Sequence, residues 1–113
     1  MIYPLNPPLL ELLILSIVKK GDSYGYLISQ QLKNVSNLKD SALYPVLKRL
    51  SENGFVEVYD QQFQGRNRKY YRITQAGIVQ YEALAEEWNR YCDYIEEIMS
   101  GKESGEDMEE TDR

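Results

Sequence analysis

Two stretches of this 113-residue chain carry side chains that could hold a polyanion. In the first, Gln64, Gly65, Arg66, Asn67, Arg68 and Lys69 place three cations in a short polar segment between runs rich in aromatic and β-branched residues. Such a segment reads as the turn of a β-hairpin. A basic hairpin tip can lie on phosphates or send an arginine into a minor groove. In the second, Lys39, Ser41, Tyr44, Lys48 and Arg49 accompany Leu43, Val46, Leu47 and Leu50, which fall at helical spacing. The N-terminal part of such a helix can reach base edges in a major groove, with Lys48 and Arg49 meeting phosphates one turn later. Reaction chemistry finds little support. There is no histidine, hence no histidine base, triad or metal ligand, and the single cysteine, Cys92, makes neither a zinc cluster nor an internal disulfide. A glycine-rich phosphate loop is absent, and Glu82, Glu86 and Glu87 read as a solvated helix face. A binding protein without cofactor or metal is expected, not an enzyme.

The elements that position these residues follow in chain order. Pro7-Pro8 suits the first turn of a helix. Residues 9–20 are apolar around most of the circumference, which predicts burial on more than one side, one toward the core and another toward a partner subunit. Gly21 ends that helix. Asp22-Ser23 is expected to cap a second helix over about residues 24–33, with Tyr26, Leu27, Ile28 and Leu32 as its apolar contacts. Asp40 or Ser41 is expected to cap a third over about residues 42–52, where Pro45 near the end of the first turn costs about one backbone hydrogen bond at most. Residues 55–63 and 69–73 predict two strands joined by a turn over 64–68. Tyr70 and Tyr71 alternate, so one should enter the core. Thr74 can cap a long last helix over about residues 75–100. The expected class is mainly α with a small β-hairpin: a winged helix-turn-helix over residues 1–77, a dimerisation helix over 78–100, and a disordered acidic tail over 101–113.

A net charge of −5 argues against nucleic acid only until its distribution is read. Through Gly77 there are ten basic residues against six acidic ones, whereas residues 78–99 hold one against six and residues 100–113 two against six. Local potential governs nucleic-acid binding more than the total does. On the last helix Tyr81, Leu84, Trp88, Tyr91, Ile95 and Ile98 recur at steps of 3 and 4, a heptad-like seam suited to another helix. A second copy of the chain is the natural partner, each last helix also meeting the other subunit's first helix through Leu9 and Leu13. A two-fold dimer would read a palindrome in double-stranded DNA. The longest apolar stretch is too short for a membrane span, and one cysteine with no secretory signal at the N-terminus points to a bacterial cytoplasm. The alternative is a winged-helix adaptor for protein contacts that does not bind DNA.

Three segments carry a resemblance: Gly21-Asp22-Ser23-Tyr24-Gly25-Tyr26, then Ser41-Ala42-Leu43-Tyr44-Pro45-Val46-Leu47-Lys48-Arg49-Leu50, then Gly65-Arg66-Asn67-Arg68-Lys69-Tyr70-Tyr71-Arg72-Ile73-Thr74. Together they resemble the PadR family of bacterial transcriptional regulators, over about residues 9–99. The short C-terminal helix is similar to that of the smaller subfamily, which includes a lactococcal multidrug-binding repressor. The resemblance implies a homodimeric repressor that leaves its operator when a small aromatic molecule binds. It implies the Tyr44–Lys48 region in the major groove and the Gly65–Lys69 turn at the minor groove. It also implies that Trp88 stacks on planar ligands, with Leu84, Tyr91 and Cys92 on its face and Glu11 and Leu12 approaching from the first helix. Ala42 departs from the serine or threonine of many relatives, and Lys39 from a capping polar residue. Tyr91 and Cys92 differ from the multidrug-binding relative, so ligand identity does not carry over.

Overall fold

Asn6 starts the fold: its side-chain oxygen accepts the Leu9 backbone N–H at 2.9 Å, and Pro7 and Pro8 fill the first turn, where no intrahelical donor is needed. The computed structural model describes residues 5–101. In chain order these form α1 (Pro7–Lys20), β1 (Ser23–Tyr24), α2 (Gly25–Leu32), α3 (Asp40–Glu52), β2 (Val56–Phe63), β3 (Arg66–Ile73) and α4 (Gln75–Ser100). The acidic tail expected to be disordered lies, after Gly101, outside the described residues. Helix α1 is central. Its Ile14, Leu15 and Val18 are buried with Ile28 of α2, Leu43, Leu47 and Leu50 of α3, and Val56 of β2. Leu9, Leu13 and Ile17 remain only partly covered, so the many-sided apolar surface of α1 is satisfied on its core side and left open beside α4.

Three sequence expectations are corrected. Asp22-Ser23 does not cap a helix. Ser23 and Tyr24 form a short strand that pairs antiparallel with β3, Ser23 opposite Tyr71 and Tyr24 opposite Tyr70, so the sheet has three strands in the order β1-β3-β2. Two residues are too few for alternation to show in a sequence. Asp22 instead accepts hydrogen bonds from the Tyr59 hydroxyl at 2.6 Å and from Arg72 Nε at 3.3 Å. Helix α2 thus begins only at Gly25, and Tyr26, at 66% exposure, and Leu27 point away from the core while Ile28, Ser29 and Leu32 enter it. Neither Asp40 nor Ser41 caps α3. Lys39 holds the cap position with no side-chain bond, and Asp40, inside the first turn, accepts the Ser29 hydroxyl at 2.9 Å, joining α3 to α2.

The hairpin is longer and tighter than its sequence suggests. Strands β2 and β3 pair without interruption from Val56–Ile73 to Phe63–Arg66, leaving only Gln64 and Gly65 in the turn. Both have positive φ, 51° and 78°, the signature of a type I′ loop. Arg66, Asn67 and Arg68 are therefore strand residues, not loop residues. Alternation then puts Arg66, Arg68, Tyr70 and Arg72 on the outer face and Asn67, Lys69, Tyr71 and Ile73 on the inner one, where Tyr71 is buried and Tyr70 is not.

Thr74 caps α4 as its sequence suggests, accepting the Gly77 N–H at 3.0 Å and donating to the Gly54 carbonyl at 2.6 Å. Any side chain at Gly77 would run into the Phe55 carbonyl, so the first turn of α4 is seated directly on the start of β2. Beyond Ala85 most residues of the helix are exposed, and its length stretches the molecule to 69 × 31 × 20 Å. Its seam is exposed there: Tyr91 57% and Ile98 76%. No helix among the described residues is long and apolar enough to cross a membrane.

Candidate nucleic-acid interface

Helix α3 buries Leu43, Val46, Leu47 and Leu50, which turns Ser41, Ala42, Tyr44 and Lys48 outward. Tyr44 is held in a specific way. A Cβ at Gly25 would lie 2.6 Å from the Tyr44 hydroxyl oxygen and 2.8 Å from the ring, so α2 opens with a residue that has no side chain to obstruct it. The ring rests on the N-terminus of α2 with 46% of the residue exposed. Beneath it, burial pushes the Tyr71 phenol above its ordinary pKa, and the neighbouring Tyr44 phenolate would add to the shift. Lys39 and Lys48 are exposed and make no ion pair among the described residues. Arg49 is different. It turns back onto α1, with Nη2 at 3.0 Å and Nε at 3.3 Å from one oxygen of Glu11. Two residues expected at separate sites, one at phosphates and one beside a ligand, are thus joined in a bridge between α3 and α1.

The wing faces α3 across a groove of about 500 Å³. Tyr26 and Tyr44 line its helical wall, and Arg66, Asn67, Arg68 and Lys69 its strand wall. Gln62 donates to Asn67 across the ladder at 2.9 Å, which orients the amide near the tip. Arg66 and Lys69 are exposed with no ion pair among the described residues. The other two wing arginines are engaged. Arg68 lies 4.2 Å from the ring centroids of both Tyr24 and Phe63. Arg72 stacks on Tyr59 at 4.6 Å and pairs with Asp22 and Glu57. Donating to Asp22 holds the Tyr59 hydroxyl above its ordinary pKa, and the same carboxylate raises that of the Arg72 guanidinium. Sequence reasoning assigned Tyr26 to the core and missed it here. The glycine just before it was the available signal, because it marks where α2 is approached closely.

A second candidate region lies between α1 and α4. Trp88 stands between two apolar grooves, one of about 530 Å³ and one of about 270 Å³. Leu9, Leu12 and Trp88 border both, Leu13 and Tyr81 only the larger, and Leu84 and Tyr91 only the smaller. The Trp88 and Tyr91 rings are tilted, with centroids 5.9 Å apart. Of the six residues expected around a ligand, Trp88, Leu84, Tyr91 and Leu12 come together. Glu11 is held by Arg49, and Cys92 lines neither groove. Ile95 and Ile98 continue the seam farther along α4, past both grooves. Among the described residues no group of acidic or cysteine side chains could hold a metal ion.

Known proteins share this fold. Residues 14–83 match the model of the transcriptional regulator PadR-like family. The chain is similar to smu.1704 from Streptococcus mutans UA159, whose crystal structure superposes with a TM-score of 0.88 at 44% identity, covering 94% of this chain and 100% of that one. It is similar to a PadR family transcription regulator from hypervirulent Clostridium difficile R20291, with TM-score 0.73, 32% identity, and 80% and 97% of the two chains covered. Bacillus subtilis PadR, solved in complex with operator DNA, matches with TM-score 0.61 at 28% identity over 66% of this chain and 45% of that one.

Proposed function

Because the chain belongs to the PadR-like family of transcriptional regulators, we propose that it is a homodimeric repressor that holds a palindromic operator through α3 and the wing and releases it when a planar aromatic molecule enters beside Trp88. The family consists of regulators, not enzymes, and the surface chemistry is that of a polyanion binder. One observation carries the DNA reading: Tyr26 and Tyr44 share a single groove with Arg66, Asn67, Arg68 and Lys69. In this reading Lys39, Ser41, Tyr44 and Lys48 enter the major groove. The Gln64-Gly65 turn, exposed at the tip, brings Arg66 and Lys69 to the adjacent minor groove and its phosphates. That the Bacillus subtilis relative was solved in complex with operator DNA supports DNA as the partner. A protein-contact adaptor would want an apolar outer face on α3, whereas Ser41 and Lys48 flank Tyr44 there.

The dimer reading rests on the uncovered seam of α4 together with the partly covered Leu9 and Leu13 of α1. A second copy laid on this surface would bury both and place two α3 helices on half-sites about 34–36 Å apart, or a multiple of that. The ligand reading rests on the apolar grooves at Trp88, whose flat face suits planar aromatic or cationic compounds. The test is fluorescence anisotropy with the DNA upstream of the protein's own gene, repeated across a salt series. The expected result is salt-sensitive binding, a two-fold symmetric footprint, and loss of affinity in Arg66→Ala/Lys69→Ala. Binding that ignores both salt and those substitutions would overturn the assignment.

A further inference from the structure

Four aromatic rings and two arginines run along the outer face of the sheet. The Arg68 guanidinium carbon lies 4.2 Å from the ring centroid of Phe63, next to the wing tip, and 4.2 Å from that of Tyr24. Tyr24 meets Tyr70 edge-on at 5.4 Å, and Tyr70 stacks on Tyr59 at 5.6 Å. Tyr59 is then covered by Arg72. The row ends differ. At one end stands the hairpin tip, and in the middle stands Tyr24, which holds the cap position of α2 immediately before the glycine on which Tyr44 rests.

We propose that Arg68 is a positioning residue for DNA binding: held against the rings of Tyr24 and Phe63, it fixes the angle of the wing to the recognition helix α3, and it does not act as a phosphate contact. A two-stranded ribbon projecting past its sheet has little else to hold its direction. Strand β1 is two residues long and pairs only at Tyr70 and Tyr71, so beyond Tyr70 toward the tip the hairpin has no third strand. Arg68 is the side chain that ties that free portion to the body. A wing allowed to swing would be competent for binding only part of the time, and apparent affinity falls by that fraction. Exposed cation–π contacts of this kind shift such an equilibrium by about two- to fivefold per ring.

The proposal rests on the DNA-binding reading above, and the experiment separates the two. Operator affinity and its salt dependence are measured for the full-length protein, Arg68→Ala, Phe63→Leu, Phe63→Tyr and the Arg68→Ala/Phe63→Leu pair, with Arg66→Ala as the control for a phosphate contact. Expected are a loss of at most about two- to fivefold per half-site in Phe63→Leu, recovery in Phe63→Tyr, and a double variant no weaker than Arg68→Ala alone. The salt slope of Arg68→Ala should equal that of the parent, whereas Arg66→Ala lowers it by about one per half-site. In the free protein the Arg68 side-chain protons should be shifted upfield by the two rings, and Phe63→Leu should remove part of that shift without lowering the melting temperature. A slope lowered by about one in Arg68→Ala, or full affinity in Phe63→Leu, overturns the proposal. Absence of salt-sensitive binding in the parent would overturn the DNA reading instead, while the upfield shift still reports the ring contacts.

Discussion

Gly25→Ala gives a direct test of how Tyr44 is presented. The added methyl would sit 2.6 Å from the Tyr44 oxygen, 2.8 Å from Cε1 and 3.0 Å from Cζ. Separations below 3 Å cannot persist, so one partner must move. The methyl is fixed to a helical backbone, while the ring is the far end of a half-exposed side chain and can swing toward solvent. Relief by rotation should cost less than the ~1–3 kcal/mol typical of overpacking in a closed core. Alanine also gains some helix propensity over glycine, at most about 1 kcal/mol and less in a first turn. The two terms oppose each other, so stability should change by no more than about 1 kcal/mol. Binding should respond far more. A base-edge contact is worth about 1–3 kcal/mol, so a displaced Tyr44 should weaken operator affinity by roughly 5- to 150-fold per half-site. The assay is anisotropy beside a urea melt, for Gly25→Ala, Tyr44→Ala and the double variant. In the Tyr44→Ala background the glycine substitution should be silent in binding and, with no ring to meet, should raise stability by the helix-propensity gain alone, at most about 1 kcal/mol. A Gly25→Ala variant that binds like the parent, or a double variant as impaired as the sum of the singles, would refute the argument.

Other outcomes follow from the same geometry. Tyr91→Glu/Ile98→Glu should convert a dimer into a monomer in sedimentation equilibrium, because it places charges on an apolar seam exposed in the single chain; unchanged mass would remove the seam from the interface. Trp88, the only tryptophan, should lose fluorescence when planar aromatic dyes are added at about micromolar levels in the absence of DNA, and a panel without any quenching would leave it a packing residue. The Tyr71 phenol has its pKa raised above the ordinary 10.0 by burial. Its contribution is therefore complete below pH 10.0 and is lost as the pH climbs through the raised value. Urea melts between about pH 8 and 11 should show an alkaline loss of stability that Tyr71→Phe lessens.

What the sequence revealed depended on how local each signal was. Helix starts written in adjacent residues were legible: prolines after Asn6, and Thr74 ahead of the last helix, whose bounds the structure reproduces. The helical spacing in α3 named its buried face correctly. Signals that depend on distant partners were not legible. Asp22-Ser23 has the composition of a helix cap, but β3 recruits Ser23 into a sheet and Arg72 and Tyr59 recruit Asp22. Arg66, Asn67 and Arg68 have the composition of a loop, yet the ladder to Gln61, Gln62 and Phe63 makes them strand. At the candidate site, the residues on α3 and the wing could be named from type alone. Whether a cation there is free or engaged could not, because Glu11 lies 38 positions from Arg49 and Tyr24 lies far upstream of Arg68.

That distinction changes the electrostatic expectation into one that can be measured. A count of basic residues through Gly77 makes the domain look generously supplied. On and around the two presenting elements, however, Arg49 is neutralised by Glu11, Arg72 by Asp22 and Glu57, and Arg68 is engaged by two rings. Lys39, Lys48, Arg66 and Lys69 remain exposed without ion pairs among the described residues. Each phosphate neutralised on duplex DNA contributes about −0.9 to the slope of log affinity against log salt. Four such cations on each of two half-sites set the limit near −7. Arg49→Ala should leave that slope unchanged and lower stability by about 1–3 kcal/mol, because it strips the partner from Glu11, whose side chain is only 17% exposed. A parent slope near −10, or a fall of about one per half-site in Arg49→Ala, would mean that DNA draws the paired arginines away from their carboxylates. The charge available to the operator would then be the one counted in the sequence, and not the one left free in the fold.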